Sequence, residues 1–170
     1  MVLLFSDRKS KDEKEIIEIL AANGGDYISD KTVSYGGGAF TFISKYKSTE
    51  LRLNNGIAVF IGNTDKFKQQ RFPKGIIGVC EEGNRNALEL FSKSPISVIC
   101  CGMNSKNTIT LSSLSDDTVL TTVQRTIITD NGTEIEPCEF LIKLTKSYSP
   151  FAIMASTAAL LLCGIIPNKY

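Results

Sequence analysis

Two stretches of the chain carry residue types that could do chemistry. In "LLFSDRKSKDEKEIIEILAANGG", residues 3–25, an apolar strand runs into Lys9-Ser10 at the start of a helix. A Lys followed by Ser or Thr at such a corner is the tail of a phosphate-binding loop, in which the lysine reaches the outer phosphates and the hydroxyl holds magnesium. That chemistry also needs glycines, because the backbone must bend round the phosphates and present its N–H groups. Larger residues stand in their places, with Arg8 directly before Lys9, so a tight wrap round a triphosphate is sterically opposed. Taken alone, the stretch fits an ordinary strand-to-helix corner better. The second set is Asn63, Asp65, Glu81 and Glu82, which directly follow two apolar runs. Carboxylates at the C-terminal ends of parallel strands lie where α/β proteins bind ligands, and Asp65 and Glu81 are candidate magnesium ligands; solvated loop carboxylates are the plainer explanation.

Composition narrows the chemistry further. The chain has 170 residues, enough for one domain with one substantial core. Nineteen Lys and Arg balance eighteen Asp and Glu to a net charge of +1, with no basic concentration of the kind a nucleic-acid footprint needs. There is no histidine, which removes the usual general base and the commonest metal ligand. The five cysteines, Cys80, Cys100, Cys101, Cys138 and Cys163, include no C-x-x-C pair and mostly sit in apolar runs, which suits reduced thiols packed as small hydrophobes. The apolar run Met1 to Phe5 has no basic segment before it and charges directly after, so it is expected to be a strand and the protein cytoplasmic.

The elements that must position these residues follow from pattern. Ser10 and Glu13 have the spacing of a capping box, Ile16, Ile17, Ile19 and Leu20 form one helical stripe, and Asn23-Gly24-Gly25 ends it. Residues 34–38, SYGGG, read as a mobile turn rather than a backbone phosphate cradle, before an alternating strand from Ala39 to Tyr46; Ser48 to Asn55 is ambiguous. The runs 57–62 and 75–80 lack alternation, as central parallel strands do. Gly83-Asn84 precedes a short amphipathic helix, and Pro95 leads into a third buried strand, 96–101, which completes a βαβ unit. In that strand, alternation sends Cys100 and Cys101 to opposite faces, and packing explains them better than redox chemistry. From Thr108 the chain turns Thr-, Val- and Ile-rich, and Asp130-Asn131-Gly132 signals a hairpin in an antiparallel flap. Ser149-Pro150 starts a final helix of small and apolar residues that Gly164 closes, too short to span a bilayer. The expected architecture is a single α/β domain over residues 1–170, with a mainly parallel sheet flanked by helices and an antiparallel β-hairpin extension.

Taken in order, these segments resemble the central domain of the Mur ligase family. There a strand runs into T-G-T-N-G-K-T and a helix ending in I-L-x-A-x-G. "FSDRKSKDEKEIIEILAANG" follows this without a gap, with Lys9 at the loop lysine, Ser10 at the threonine, and Phe5 and Arg8 in place of the two glycines. "LRLNNGIAVFIGNTDKF" is similar to the strand ending in T-N-I-x-x-D-H, with Asn63 and Asp65 near the expected places. "GIIGVCEEGNRNALELF" resembles the next strand, with Glu81-Glu82 where an acidic pair stands, and "ISVICCGMNSKNTITLSSL" the strand and antiparallel extension after it. "LTKSYSPFAIMASTAALLLCGI" resembles the last helix, without its His-Asn pair.

The resemblance implies a degenerate nucleotide site in which Lys9, Ser10 and Asn63 are the residual nucleotide contacts and Asp65 and Glu81 the residual magnesium ligands. It implies a stand-alone, non-catalytic protein that acts by binding in a cell-wall (peptidoglycan) context, associating with itself or with a cell-wall synthesis enzyme, with no cofactor and no catalytic residue. Two alternatives stay open: an ATP- and magnesium-binding ligase subunit completed by another chain, and an unrelated α/β binding module.

Overall fold

The computed structural model describes residues 1–7, 10–46, 52–67, 69–129 and 131–170. Arg8, Lys9, residues 47–51, Lys68 and Asp130 lie outside it, so the loop lysine, part of the ambiguous segment 48–55 and the first residue of the hairpin signal fall outside the described residues.

The first half alternates strands and helices: β1 (Val2–Phe5), α1 (Lys11–Ala22), β2 (Gly25–Ile28), β3 (Val33–Ser34), β4 (Phe40–Lys45), β5 (Gly56–Phe60), a 3-10 turn (Asp65–Phe67), β6 (Ile76–Glu81), α2 (Arg85–Ser92) and β7 (Ser97–Cys101). The second half is β8 (Ile109–Leu114), β9 (Thr118–Val123), β10 (Ile127–Ile128), β11 (Glu134–Ile135), β12 (Cys138–Lys143) and α3 (Pro150–Leu162). One sheet takes the order β12-β9-β8-β7-β6-β5-β1-β4-β2-β3, and β10-β11 form a separate ribbon. From β2 through β4, β1, β5, β6 and β7 to β8 neighbouring strands are parallel, while β9 and β12 add antiparallel strands at one edge and β3 one at the other. The fold is thus a mainly parallel α/β sheet with an antiparallel extension, as its apolar runs predict, and β1 has parallel neighbours on both sides.

Each face of the sheet has its own core. Val2, Leu4, Val59, Val79 and Ile99 face α1 and α3, and Leu3, Phe5, Phe60, Cys80 and Ile76 face α2 and the segment around Phe67 and Phe72. Alternation along a strand requires this division. β1 and β5 are buried throughout because both faces are covered. β7 is less buried than its apolar sequence suggests: Ser97 and Val98, at its start, are exposed. On the α2 side, a Cβ added to Gly78 would lie 2.7 Å from the Phe91 ring, so the absent side chain is what lets α2 settle onto β6.

α3 is buried from Phe151 through Leu162, a helix apolar all round that the domain encloses. The Ser149 hydroxyl accepts from the Ala152 N–H, Pro150 occupies the first turn, and the other end closes on Gly164 at φ +76°. There the Gly164 N–H donates to the Leu161 carbonyl and the Ile165 N–H to the Leu160 carbonyl, both at 2.9 Å, which is a Schellman closure. The chain then returns across the helix and buries Tyr170, whose hydroxyl lies 2.6 Å from that of Thr157. Its small residues are therefore used within the domain. Among the described residues, no helix is long and apolar enough to cross a membrane.

Two local expectations are corrected and a third is met. Ser10 is the N-cap of α1 but makes no side-chain capping bond, so the capping box is not formed. The SYGGG turn is tied down: Gly36 and Gly38 donate their N–H groups to the Asp26 carboxylate at 2.7 and 2.9 Å. The hairpin signalled at Asn131-Gly132 does form: the turn closes the β10-β11 ribbon, and further along the same two arms β9 pairs with β12, while β8 pairs with β9.

Candidate functional site

Strand order reverses on either side of β1, because the chain first builds outward through β2 and β4 and then crosses to β5. In open α/β sheets such a switch point leaves a crevice beyond the C-terminal ends of the strands, where ligands bind. Here the crevice is bounded by the segment after Phe5, the turn from Gly62 to Asp65 and the turn from Glu81 to Arg85.

The first wall is closed by its own side chains. Phe5 is fully buried, stacked on Phe60 with ring centroids 4.8 Å apart and edge-on to Phe67 and Phe72. Ser6 is also buried, and its hydroxyl donates to Glu13 Oε2 at 2.6 Å. Glu13 sits in the first turn of α1 and is itself buried, with Oε1 left without a hydrogen-bond partner. Burial, and then the charge of and hydrogen bond with Glu13, push the Tyr46 phenol up to about 12.

Two more carboxylates of α1 are committed to α3. The Ser149 N–H donates to Glu15 Oε2 at 2.8 Å, and the Ser149 hydroxyl donates to Asp12. Burial alone would raise the Glu15 carboxyl, but the bonds from Ser149 and the Lys11 ammonium at 3.3 Å outweigh it and hold the group below its ordinary value. Negative charge placed at the start of both helices is where their dipoles favour it.

The second wall is an open depression of about 660 Å³ lined by Gly62, Asn63, Glu81, Glu82, Asn84 and Arg85. Asn84 ties its two turns together. Its side chain donates to the Gly62 carbonyl at 3.0 Å and accepts from the Ala87 N–H at 3.1 Å, capping α2. Asn63 accepts from the Asp65 N–H at 2.9 Å and so caps the 3-10 turn. Glu82 accepts from the Asn107 side chain, next to Gly102. Burial first, then the charges of Asp12 and Glu82, raise the Glu81 carboxyl above its ordinary value.

Of the residues singled out in the sequence, Asn63, Glu81 and Glu82 line one depression, Asp65 starts the 3-10 turn further on, and Ser10 stands at the N-terminal end of α1 without a side-chain capping bond. Lys9 lies outside the described residues. Among the described residues, no group of three or more His, Cys, Asp or Glu side chains is arranged to hold a metal ion. Sequence reasoning missed Ser6, Asp12 and Tyr46 as members of this corner. Only the match of Glu13 to a capping pattern could have drawn attention to it, and there it pointed to the wrong serine.

No protein-family model matches the sequence, and no curated protein matches it. Solved structures do match: 24 chains resemble this one. One is the UDP-N-acetylmuramoylalanyl-D-glutamyl-2,6-diaminopimelate--D-alanyl-D-alanyl ligase from Acinetobacter baumannii, with a TM-score of 0.55 at 10% sequence identity. The match covers 97% of this chain and 43% of the ligase, so the chain spans less than half of that protein. The likeness is one of fold: this chain has a Mur-ligase-like α/β architecture.

Proposed function

We propose that the chain is a degenerate Mur-ligase central domain that acts by binding, in a cell-wall context, and has given up ATP-driven ligation. The single observation that supports this most is the buried Ser6–Glu13 pair beneath the start of α1. A phosphate site at a helix start works by offering free N–H groups and positive potential. In this chain a buried carboxylate holds that place and takes the nearest hydroxyl. A triphosphate brought to the crevice would also approach Asp12, Glu81 and Glu82, and the first loop position is filled by the Phe5 ring packed among Phe60, Phe67 and Phe72. On this reading the partner is a second copy or a cell-wall synthesis enzyme, held by surfaces of the sheet and not by a nucleotide. Measuring phosphate release from ATP tests it: no release above background is expected, and release that disappears in Lys9→Ala would overturn it.

A second reading keeps nucleotide binding, with Lys9, Ser10, Asn63, Asp65 and Glu81 engaging Mg-ATP once another chain completes the site. The open depression beside Glu81, whose carboxyl is raised by burial first and then by the charges of Asp12 and Glu82, favours it, because a divalent cation would relieve the part that is repulsion. Saturable magnesium binding by the isolated chain, lost in Glu81→Gln, is its expected sign.

A further inference from the structure

The sheet aligns one transverse row of residues on its α2 face: Phe5 pairs with Phe60, Phe60 with Cys80, and Cys80 with Cys100. The last two are thiols directly opposite each other on adjacent parallel strands. Neighbouring strands lie roughly 4.8 Å apart, inside the Cα separation of about 4.4–6.8 Å that a disulfide spans. Both side chains lie on one face, Cys80 buried within the α2 core and Cys100 partly exposed at its margin. The register sets the two thiols side by side, so that each acts on the other's ionisation, and the Arg125 guanidinium acts on Cys100 by its charge. Cys101 faces the opposite core and is fully buried.

We propose that Cys80 and Cys100 form a reversible disulfide across β6 and β7, with Cys100 as the attacking thiol and Cys80 as the resolving one, and with a low-molecular-weight disulfide as oxidant. The chemistry favours that order. Hydrogen bonding from Cys80 first, opposed by burial and assisted by Arg125 against the charge of Glu82, brings the Cys100 thiol down to about 7, whereas that same bond and burial push Cys80 up. An accessible thiolate with a neighbouring thiol is the arrangement that attacks disulfides. The Cys100 thiolate attacks one sulfur of the oxidant, its S–S bond breaks, and one thiolate leaves and is protonated. Cys80 then loses its proton and attacks the Cys100 sulfur, expelling the second thiol. Two protein thiols are oxidised and one small disulfide is reduced to two thiols. The new bond would lie one residue before Glu81 and Cys101, fastening β6, whose last residue Glu81 lines the open depression, to its neighbour β7. The inference is independent of the proposed function.

The test treats the reduced, folded full chain with oxidised glutathione, alkylates the remaining thiols after unfolding, and maps tryptic peptides by mass spectrometry. Trypsin separates the peptide of residues 75–85, containing Cys80, from that of residues 94–106, containing Cys100 and Cys101. The expected product joins these two peptides, in the wild type and in Cys101→Ala alike, with fragment ions placing the bond at Cys100. Cys80→Ala is expected to trap a stable glutathione adduct on Cys100, formed about tenfold faster than on Cys138 or Cys163. Absence of the joined peptide, a bond placed at Cys101, or a Cys100 no more reactive than Cys138 and Cys163 would each overturn the proposal.

Discussion

The hydroxyl of Ser6 donates to the carboxylate of Glu13 at 2.6 Å, and both residues are buried between the end of β1 and the first turn of α1. This bond fills, from within the chain, the corner that the Lys9-Ser10 pair makes look like a phosphate site. Removing the hydroxyl should leave a buried carboxylate short of a donor. Ser6→Ala is therefore expected to destabilise the fold by about 1.5–3 kcal/mol, read as a lower urea midpoint with an unchanged slope. A midpoint equal to that of the wild type would show that Glu13 does not depend on Ser6.

Phe5 is the aromatic centre of the α2-side core, in contact with Phe60, Phe67 and Phe72. Its ring stands where the resemblance puts a loop glycine, so shortening it should open a cavity in the core and not a ligand site. Phe5→Ala is expected to cost about 3–5 kcal/mol, measured by denaturant unfolding. A loss under about 1 kcal/mol would mean that the ring is replaceable.

The two shifted carboxylates act in opposite directions with pH. Glu15, held below its ordinary 4.5, supplies stability that is present above pH 4.5 and lost as pH falls through its folded value. Glu81, raised above 4.5, costs stability as pH rises from 4.5 through its folded value. Glu15→Gln should therefore flatten the acid-side loss of stability, and Glu81→Gln should raise stability at neutral pH. Urea midpoints recorded from about pH 3 to pH 7 check both signs, and a Glu81→Gln variant less stable at neutral pH would contradict the second.

Asp26 holds the glycine turn through the N–H groups of Gly36 and Gly38. Asp26→Ala should free the β2–β3 edge at a cost of roughly 1.5–3 kcal/mol. The direct readout is faster trypsin cleavage after Lys31, in the turn between β2 and β3. An unchanged cleavage rate would show that the turn is held by other contacts.

Much of this fold was legible because burial on both faces writes itself as unbroken apolar runs. IAVFIG and GIIGVC became β5 and β6, and the Ser149-Pro150 start and Gly164 stop of α3 stand at the ends their chemistry predicts. The β2 strand was not legible: in Gly-Asp-Tyr-Ile two residues that strands avoid precede two that they favour, and it pairs beside β4, where Tyr27 stacks on Phe42. The corner at Ser6 and Glu13 was hidden for a related reason. The Ser10–Glu13 spacing satisfies a local capping pattern, yet burial gave Glu13 a partner that local spacing does not reveal. The Cys80–Cys100 pair depends on strand register, which nineteen intervening residues conceal.

Calorimetric titration of Mg-ATP into the full chain bears most directly on the proposed loss of nucleotide chemistry. With Glu13 buried under the start of α1 and Phe5 locked in the core, no heat of binding is expected at nucleotide concentrations up to about 1 mM. Saturable heat in that range, abolished by Lys9→Ala, would contradict the proposal that this corner does not grip phosphate.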